Sequence, residues 1–195
     1  MKTKAWIVVN VLGIAAGLFA VSGIVFSDDD DRHEGQSSWG ERVWNESRLD
    51  VAPVENAFYK EECGSCHFPY QPGLLPARSW NRVMTGLADH FGENAELNAA
   101  DAQKLTDYLV KNAADTSNYK RSVRIAGSLK SSDAPLRISE TRYFQRKHHE
   151  LSARMVKDNP KVRSFSNCEL CHTKAAQGSY NEHQVKVPGF SNWES

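Results

Sequence analysis

Cys63-Gly64-Ser65-Cys66-His67 and Cys168-Glu169-Leu170-Cys171-His172 are two copies of one five-residue pattern, C-x-x-C-H, and together they use all four cysteines of the chain. Two thiols three positions apart on a helical turn can reach the two vinyl groups of one haem and form thioethers. The adjacent histidine then lies beneath the ring and offers a nitrogen to iron. With four cysteines and seven histidines in 195 residues, a given cysteine starts such a pattern by chance less than about one time in a thousand. Two copies therefore predict two covalent haem c groups. Cys63, Cys66, Cys168 and Cys171 are the attachment points, and His67 and His172 are the proximal iron ligands.

Other uses of the same residues explain less. A zinc site needs two C-x-x-C pairs close together and leaves the following histidines without a purpose. Thioredoxin-like chemistry needs one C-x-x-C in a βαβ setting, and no such alternation of elements is visible. A papain-type reading of Cys63-Gly64-Ser65-Cys66 fails at His67, which stands where that signature has an aromatic residue. Disulfides Cys63–Cys66 and Cys168–Cys171 would close very small, strained loops.

Lys+Arg and Asp+Glu number 24 each, so the net charge is zero and nothing points to nucleic acid. Hydrophobic content is 40% and mean hydropathy is −0.57. A haem domain of about 70 residues has a marginal core by itself, and a covalent apolar cofactor compensates for that. Met1-Lys2-Thr3-Lys4 is followed by an apolar run over residues 5–26. This is either a secretory signal or a retained N-terminal membrane tether, with the lysines kept inside and the remainder exported. Residues 1–27 thus form a signal or anchor. Residues 28–50, opening with Asp28 to Asp31, read as an acidic solvated linker. Trp39 and Trp44 within it are expected to pack onto the body. A first haem domain is expected over 51–118 and a second over 119–195. The class is mostly α, two small cytochrome c-like haem domains with long irregular loops.

Pro53 can open a helix that leads into the first motif. Phe68 to Pro76, with three prolines and a glycine, reads as an irregular loop suited to covering a haem. Ser79 is a candidate N-cap for a helix carrying Trp80, Val83, Met84, Leu87 and Phe91 on one face, closed by Gly92. On that helix His90 lies about 20° from Val83 and points inward. His90 is therefore the candidate distal ligand of the first haem, with Met84 as competitor. Asn98 to Asp101 starts a further helix, ending near Ala114. Residues 115–130 read as the connection between units. Ser139 is expected to cap a helix running to Met155, with Phe144, His148, Leu151 and Met155 on one face. His148 is then the distal candidate for the second haem, and His149, Met155 and His183 are alternatives. The first distal histidine follows its motif and the second precedes its own, so the halves are not a plain tandem repeat.

The stretches EECGSCHFPYQPGLLPARSW, GLADHFGENAEL, RISETRYFQRKHHEL and SNCELCHTKAAQGSY cover most of residues 52–188. They resemble the small bacterial dihaem cytochrome c family, which includes the dihaem partner of a monohaem oxygen-binding cytochrome, the sphaeroides haem protein. The resemblance implies two haem domains, both irons with two histidine ligands, and electron transfer in the periplasm. It implies a membrane cytochrome b-type or quinol-linked donor and a soluble monohaem cytochrome acceptor. Two imidazoles without a methionine favour a lower potential than a Met/His pair. The expected function is thus electron transfer and not catalysis. The alternatives are a dihaem peroxidase-like enzyme with one open haem and a haem subunit of a periplasmic reductase complex.

Overall fold

The computed structural model describes residues 49–191. The apolar segment 5–26, the Asp28–Asp31 block, Trp39 and Trp44 lie outside the described residues. Asn56 begins the first element by capping it. Its side chain accepts the Tyr59 N–H at 2.9 Å, which satisfies one of the free donors of the first turn. Helix α1, Ala57–Gly64, follows. It opens four residues past Pro53, because the asparagine supplies the cap that the proline lacks. The Tyr59 hydroxyl donates to the Tyr70 carbonyl at 2.8 Å and so folds the proline-rich loop over α1.

Helix α2, Ala77–Thr85, starts behind Pro76, and Ser79, expected as its cap, is buried within its first turn. Helix α3, Ala99–Lys111, is capped by Asn98, whose side chain accepts the Asp101 N–H at 3.0 Å. Helices α2 and α3 pack together around Tyr59, Leu75, Trp80, Leu105 and Leu109. The indole N–H of Trp80 donates to the Pro72 carbonyl at 2.7 Å. Helix α2 stops at Gly86 instead of continuing to Phe91. The apolar stripe predicted over Trp80 to Phe91 is thus broken between Met84 and Leu87.

The stretch predicted as a connection contains helix α4, Lys120–Gly127, which buries Ser122 and Ile125. It packs against the turn Pro72–Leu74 and against helix α5, Arg142–Lys147. Helix α5 has six residues and is capped by Thr141, which accepts the Phe144 N–H at 3.2 Å. It ends at His148, so the helix predicted from Ser139 to Met155 is cut to its middle. Helix α6 is the second motif itself, Cys168–Cys171. The described residues include no strand. Two single antiparallel bridges join His90 with Glu93 and His172 with Val185.

A second buried cluster takes Val51, Leu74 and Ala114 from one side of the 118/119 boundary and Ile125, Tyr143, Ala175 and Tyr180 from the other. The start of the folded body is tied to its end. The Asp50 and Val51 N–H groups donate to the Gly178 carbonyl at 3.0 and 3.1 Å. Gly178 has φ +81°, and a Cβ there would stand 2.3 Å from the Val51 carbonyl oxygen. Glycine is required on both counts. No helix among the described residues is long and apolar enough to cross a membrane.

Candidate functional site

Helix α1 carries Cys63, and Gly64 is its last residue, so Cys66 and His67 follow in the chain beyond it. His67 Nδ1 lies 2.8 Å from the Phe68 carbonyl, which leaves Nε2 as the nitrogen available to a metal. Its ring stacks on Tyr70 at 5.1 Å and 28°. Facing it is His90, with ring centres 6.1 Å apart and planes 18° from parallel. His90 reaches this place on a tight turn and not on a helix. Phe91 and Gly92 both have positive φ, 59° and 100°, as the two central residues of a hairpin turn require. The His90 N–H donates to the Glu93 carbonyl at 2.7 Å, and the Gly92 N–H to Asp89 Oδ1 at 3.0 Å. Phe91 packs edge-on against His90 at 4.8 Å and is covered by the guanidinium of Arg137 at 3.9 Å.

The second site is built from the other direction. His148 ends α5, and its Nδ1 lies 2.9 Å from the Phe144 carbonyl, again leaving Nε2 available. Phe144 stacks on the His148 ring at 3.8 Å and 10°, and Phe165 stands edge-on to it at 5.9 Å. His148 and His172 have ring centres 6.1 Å apart, with planes at 73°. Tyr180 flanks His172 at 5.1 Å. His149 lies on the other side of the helix end. Its side chain is 71% exposed, with Nε2 3.8 Å from Glu150 Oε1. Met84 packs against the Tyr59–Trp80 cluster. Met155 is half-buried in the turn Ala153–Met155, and His183 is exposed in the turn Glu182–Gln184.

A polar chain runs between the two sites. Tyr70, stacked on His67, donates its hydroxyl to the Ser166 carbonyl at 2.6 Å, two residues before Cys168. Its neighbour Gln71 is fully buried. Gln71 donates to the Ala175 carbonyl and accepts the Tyr180 hydroxyl at 2.6 Å. Arg121 of α4 donates to Tyr143 Oη at 2.7 Å and pairs with Asp50 at 2.9 Å. Asp50 in turn accepts the Tyr180 N–H at 2.5 Å. Neither Arg121 nor Tyr180 carried any local signal in the sequence. Tyr70 and Gln71 could be placed only in a loop suited to covering a haem.

The electrostatics favour neutral ligands. Burial holds the His172 imidazole down at about 4, helped by His148 and Arg121. Burial also lowers His148, and burial with the facing His67 lowers His90. Burial, then the neighbouring Glu62, pushes the Cys63 thiol up to about 11. Burial, then Glu169, pushes Cys168 up to about 12. These thiols stay protonated, which is unsuited to a thiolate metal site. All four cysteines are free of disulfides. No cluster of three or more His, Cys, Asp or Glu able to hold a metal ion occurs among the described residues.

A haem fits both places. A metal–imidazole bond of about 2 Å and about 1 Å more from nitrogen to ring centre put two coaxial imidazoles about 6 Å apart. Both pairs have that separation. Buried polar atoms without partners lie at the second site, namely His172 Nδ1 and Arg121 Nε. Orphans of this kind mark a place that a bound group completes. The walls supply stacked aromatic rings, as an apolar macrocycle needs.

No curated protein sequence matches the chain. The dihaem cytochrome c family model matches residues 59–180. Among solved structures, a dihaem cytochrome c from Rhodobacter sphaeroides is 45% identical, with a TM-score of 0.59, covering 67% of this chain and 100% of that one. A dihaem cytochrome c from Shewanella baltica OS155 is 40% identical, with a TM-score of 0.59, covering 72% of this chain and 99% of that one. A match over more than half the chain, together with this identity along nearly the whole length of both relatives, makes the chain a member of the dihaem cytochrome c family, with two covalently bound haem c groups.

Proposed function

We propose that this protein is a one-electron carrier in which each haem is held by two thioethers and two imidazoles. Cys63, Cys66, His67 and His90 hold the first, and Cys168, Cys171, His172 and His148 hold the second. The observation that carries this reading is the repeat of one spacing, 6.1 Å between ring centres, in two pairs of unlike construction. Bound haem iron supplies one-electron exchange between its ferric and ferrous states. The chain's own residues decide the rest. Four imidazoles on two irons leave neither metal a position for substrate, which separates this reading from a peroxidase with one open haem. The Phe68 and Phe144 carbonyls fix His67 and His148 through Nδ1 and raise their basicity as ligands. Tyr70, Gln71 and Tyr180 pack the space between the sites and hold the two motifs in register.

By likeness to the family, electrons arrive from a membrane quinol-linked donor and leave to a soluble monohaem cytochrome in the periplasm. Residues 5–26 direct export or tether the chain to the membrane. The test is electron paramagnetic resonance with near-infrared magnetic circular dichroism on the oxidised protein, with His90→Ala and His148→Ala beside it. Two low-spin bis-histidine species, each abolished in one variant, are expected. A high-spin component or a methionine–iron band in the unaltered protein would overturn the assignment.

A further inference from the structure

A zero net charge hides a separation of charge between the two sites. Residues 55–116, which contain the first site, carry five Lys and Arg against nine Asp and Glu. Residues 142–186, which contain the second, carry nine against four. The tertiary structure sharpens this contrast. Two of the five cations at the first site bond to main-chain carbonyls, and one of them, Arg78, is half-buried. Arg78 donates to the carbonyls of Asp133 and Lys130 and pairs with Asp115, and Arg82 donates to the Ala134 carbonyl. The acids Asp89, Glu93 and Glu96 around the His90 turn are exposed, and the one cation over that turn, Arg137, is paired with Glu140 at 4.0 Å.

At the second site the cations face water. Arg154, Lys157, Lys161, Arg163, Lys174 and Lys186 are all exposed. Two of them adjoin the haem motif. Lys174 is two residues past His172, and the Lys186 N–H donates to the Cys171 carbonyl at 3.0 Å. The two propionates on each haem lower both sites alike and leave the difference between them intact.

Charge of one sign around a redox centre raises the encounter rate with a partner of the other sign and turns away partners of its own. We propose that the second haem's face is the docking surface for an acidic one-electron redox protein, while the first haem's acidic face repels that same partner. This rests on the carrier function proposed above and adds to it the chemistry of one partner and the haem that meets it.

The probe is a plant-type ferredoxin, a low-potential acidic one-electron protein, used in stopped-flow reduction of the full dihaem protein over a range of ionic strength. Reduction is expected to slow steeply as salt rises. K157E combined with K161E is expected to slow it by about tenfold at low salt and by less than about twofold at high salt. Midpoint potentials measured at an electrode should not move, and the haem spectrum checks that the variant is folded. Carbodiimide coupling should join ferredoxin carboxylates to Lys157, Lys161, Lys174 or Lys186.

A rate that ignores salt in the unaltered protein would overturn the proposal, even if the variant fails to fold. So would coupling that joins only two copies of this chain, or the lysines to the chain's own Asp28–Asp31. Haems that exchange electrons with an electrode but not with the ferredoxin at any salt would sink the docking surface and leave the carrier standing. Failure of the carrier itself would show separately, as an open high-spin haem in the resonance experiment above.

Discussion

The His67–His90 and His148–His172 pairs have the same separation and opposite construction. In the first the motif comes early, its histidine is exposed, and its partner arrives 23 residues later on a turn with two positive φ angles. In the second the partner comes 24 residues earlier, at the C-terminal end of a six-residue helix, and both rings are half-buried. The first pair is near parallel at 18° and the second near perpendicular at 73°. A haem held between each pair, as proposed, would require that spacing, and two unrelated local structures converge on it. The angle is not so dictated, and each neighbourhood sets its own. Phe144 stacked on His148 fixes one plane, and the His90–Glu93 bridge fixes the other.

The difference in angle has an electronic consequence. Parallel imidazoles act on one iron dπ orbital and split the pair, while perpendicular ones act on both alike. The largest expected effect follows from the distal ligands. His90→Ala should remove a rhombic low-spin resonance, and His148→Ala a nearly axial one with a larger maximum g value, each replaced by a high-spin signal. Two resonances of the same shape would break the comparison at its root.

Gly178→Ala comes next. A Cβ 2.3 Å from the Val51 carbonyl at φ +81° should cost about 3 kcal/mol or more, lowering Tm by roughly 6–12 °C. Because Gly178 sits beside Tyr180 and Asp50, the second site should loosen first, seen as heterogeneity in its resonance alone.

Arg121→Met sharpens the contrast in charge. Arg121 and Asp50 are 21% and 20% exposed, and the guanidinium acts on His148 and His172. A cation favours the less positive ferrous iron, so its removal should lower the second haem's potential by tens of millivolts and leave the first within error in spectroelectrochemical titration. An equal shift in both haems would make the effect a general loosening. Tyr70→Phe is the smallest change. It removes the hydrogen bond to Ser166 that couples the sites, at a cost of about 1 kcal/mol, read by denaturant unfolding, with both resonances kept.

The sequence made much of the site legible because C-x-x-C-H is local: the cofactor, the proposed attachment points and the proposed proximal nitrogens all follow from five residues. His90 was singled out by helical periodicity, yet the structure places it on a turn past a helix that Gly86 ends. The residue faces the site because of Phe91 and Gly92, and the wheel argument reached it on a helix that does not extend that far. His148 stands better, since Phe144 and His148 are four residues apart and remain so related at the helix end. Helix α4 went unseen because its buried face is only Ser122 and Ile125, too short a pattern to count against its polar neighbours.

The sequence by itself determined the chemistry: two haems, with the cysteines and histidine of each motif as the residues proposed to hold them, since those depend on spacing along the chain. Tertiary structure alone decided that the two ring pairs differ in angle, and that Arg121, Tyr180 and Asp50 meet beside the second site. These depend on contacts between residues up to 130 apart, which only the packed chain brings within bonding distance.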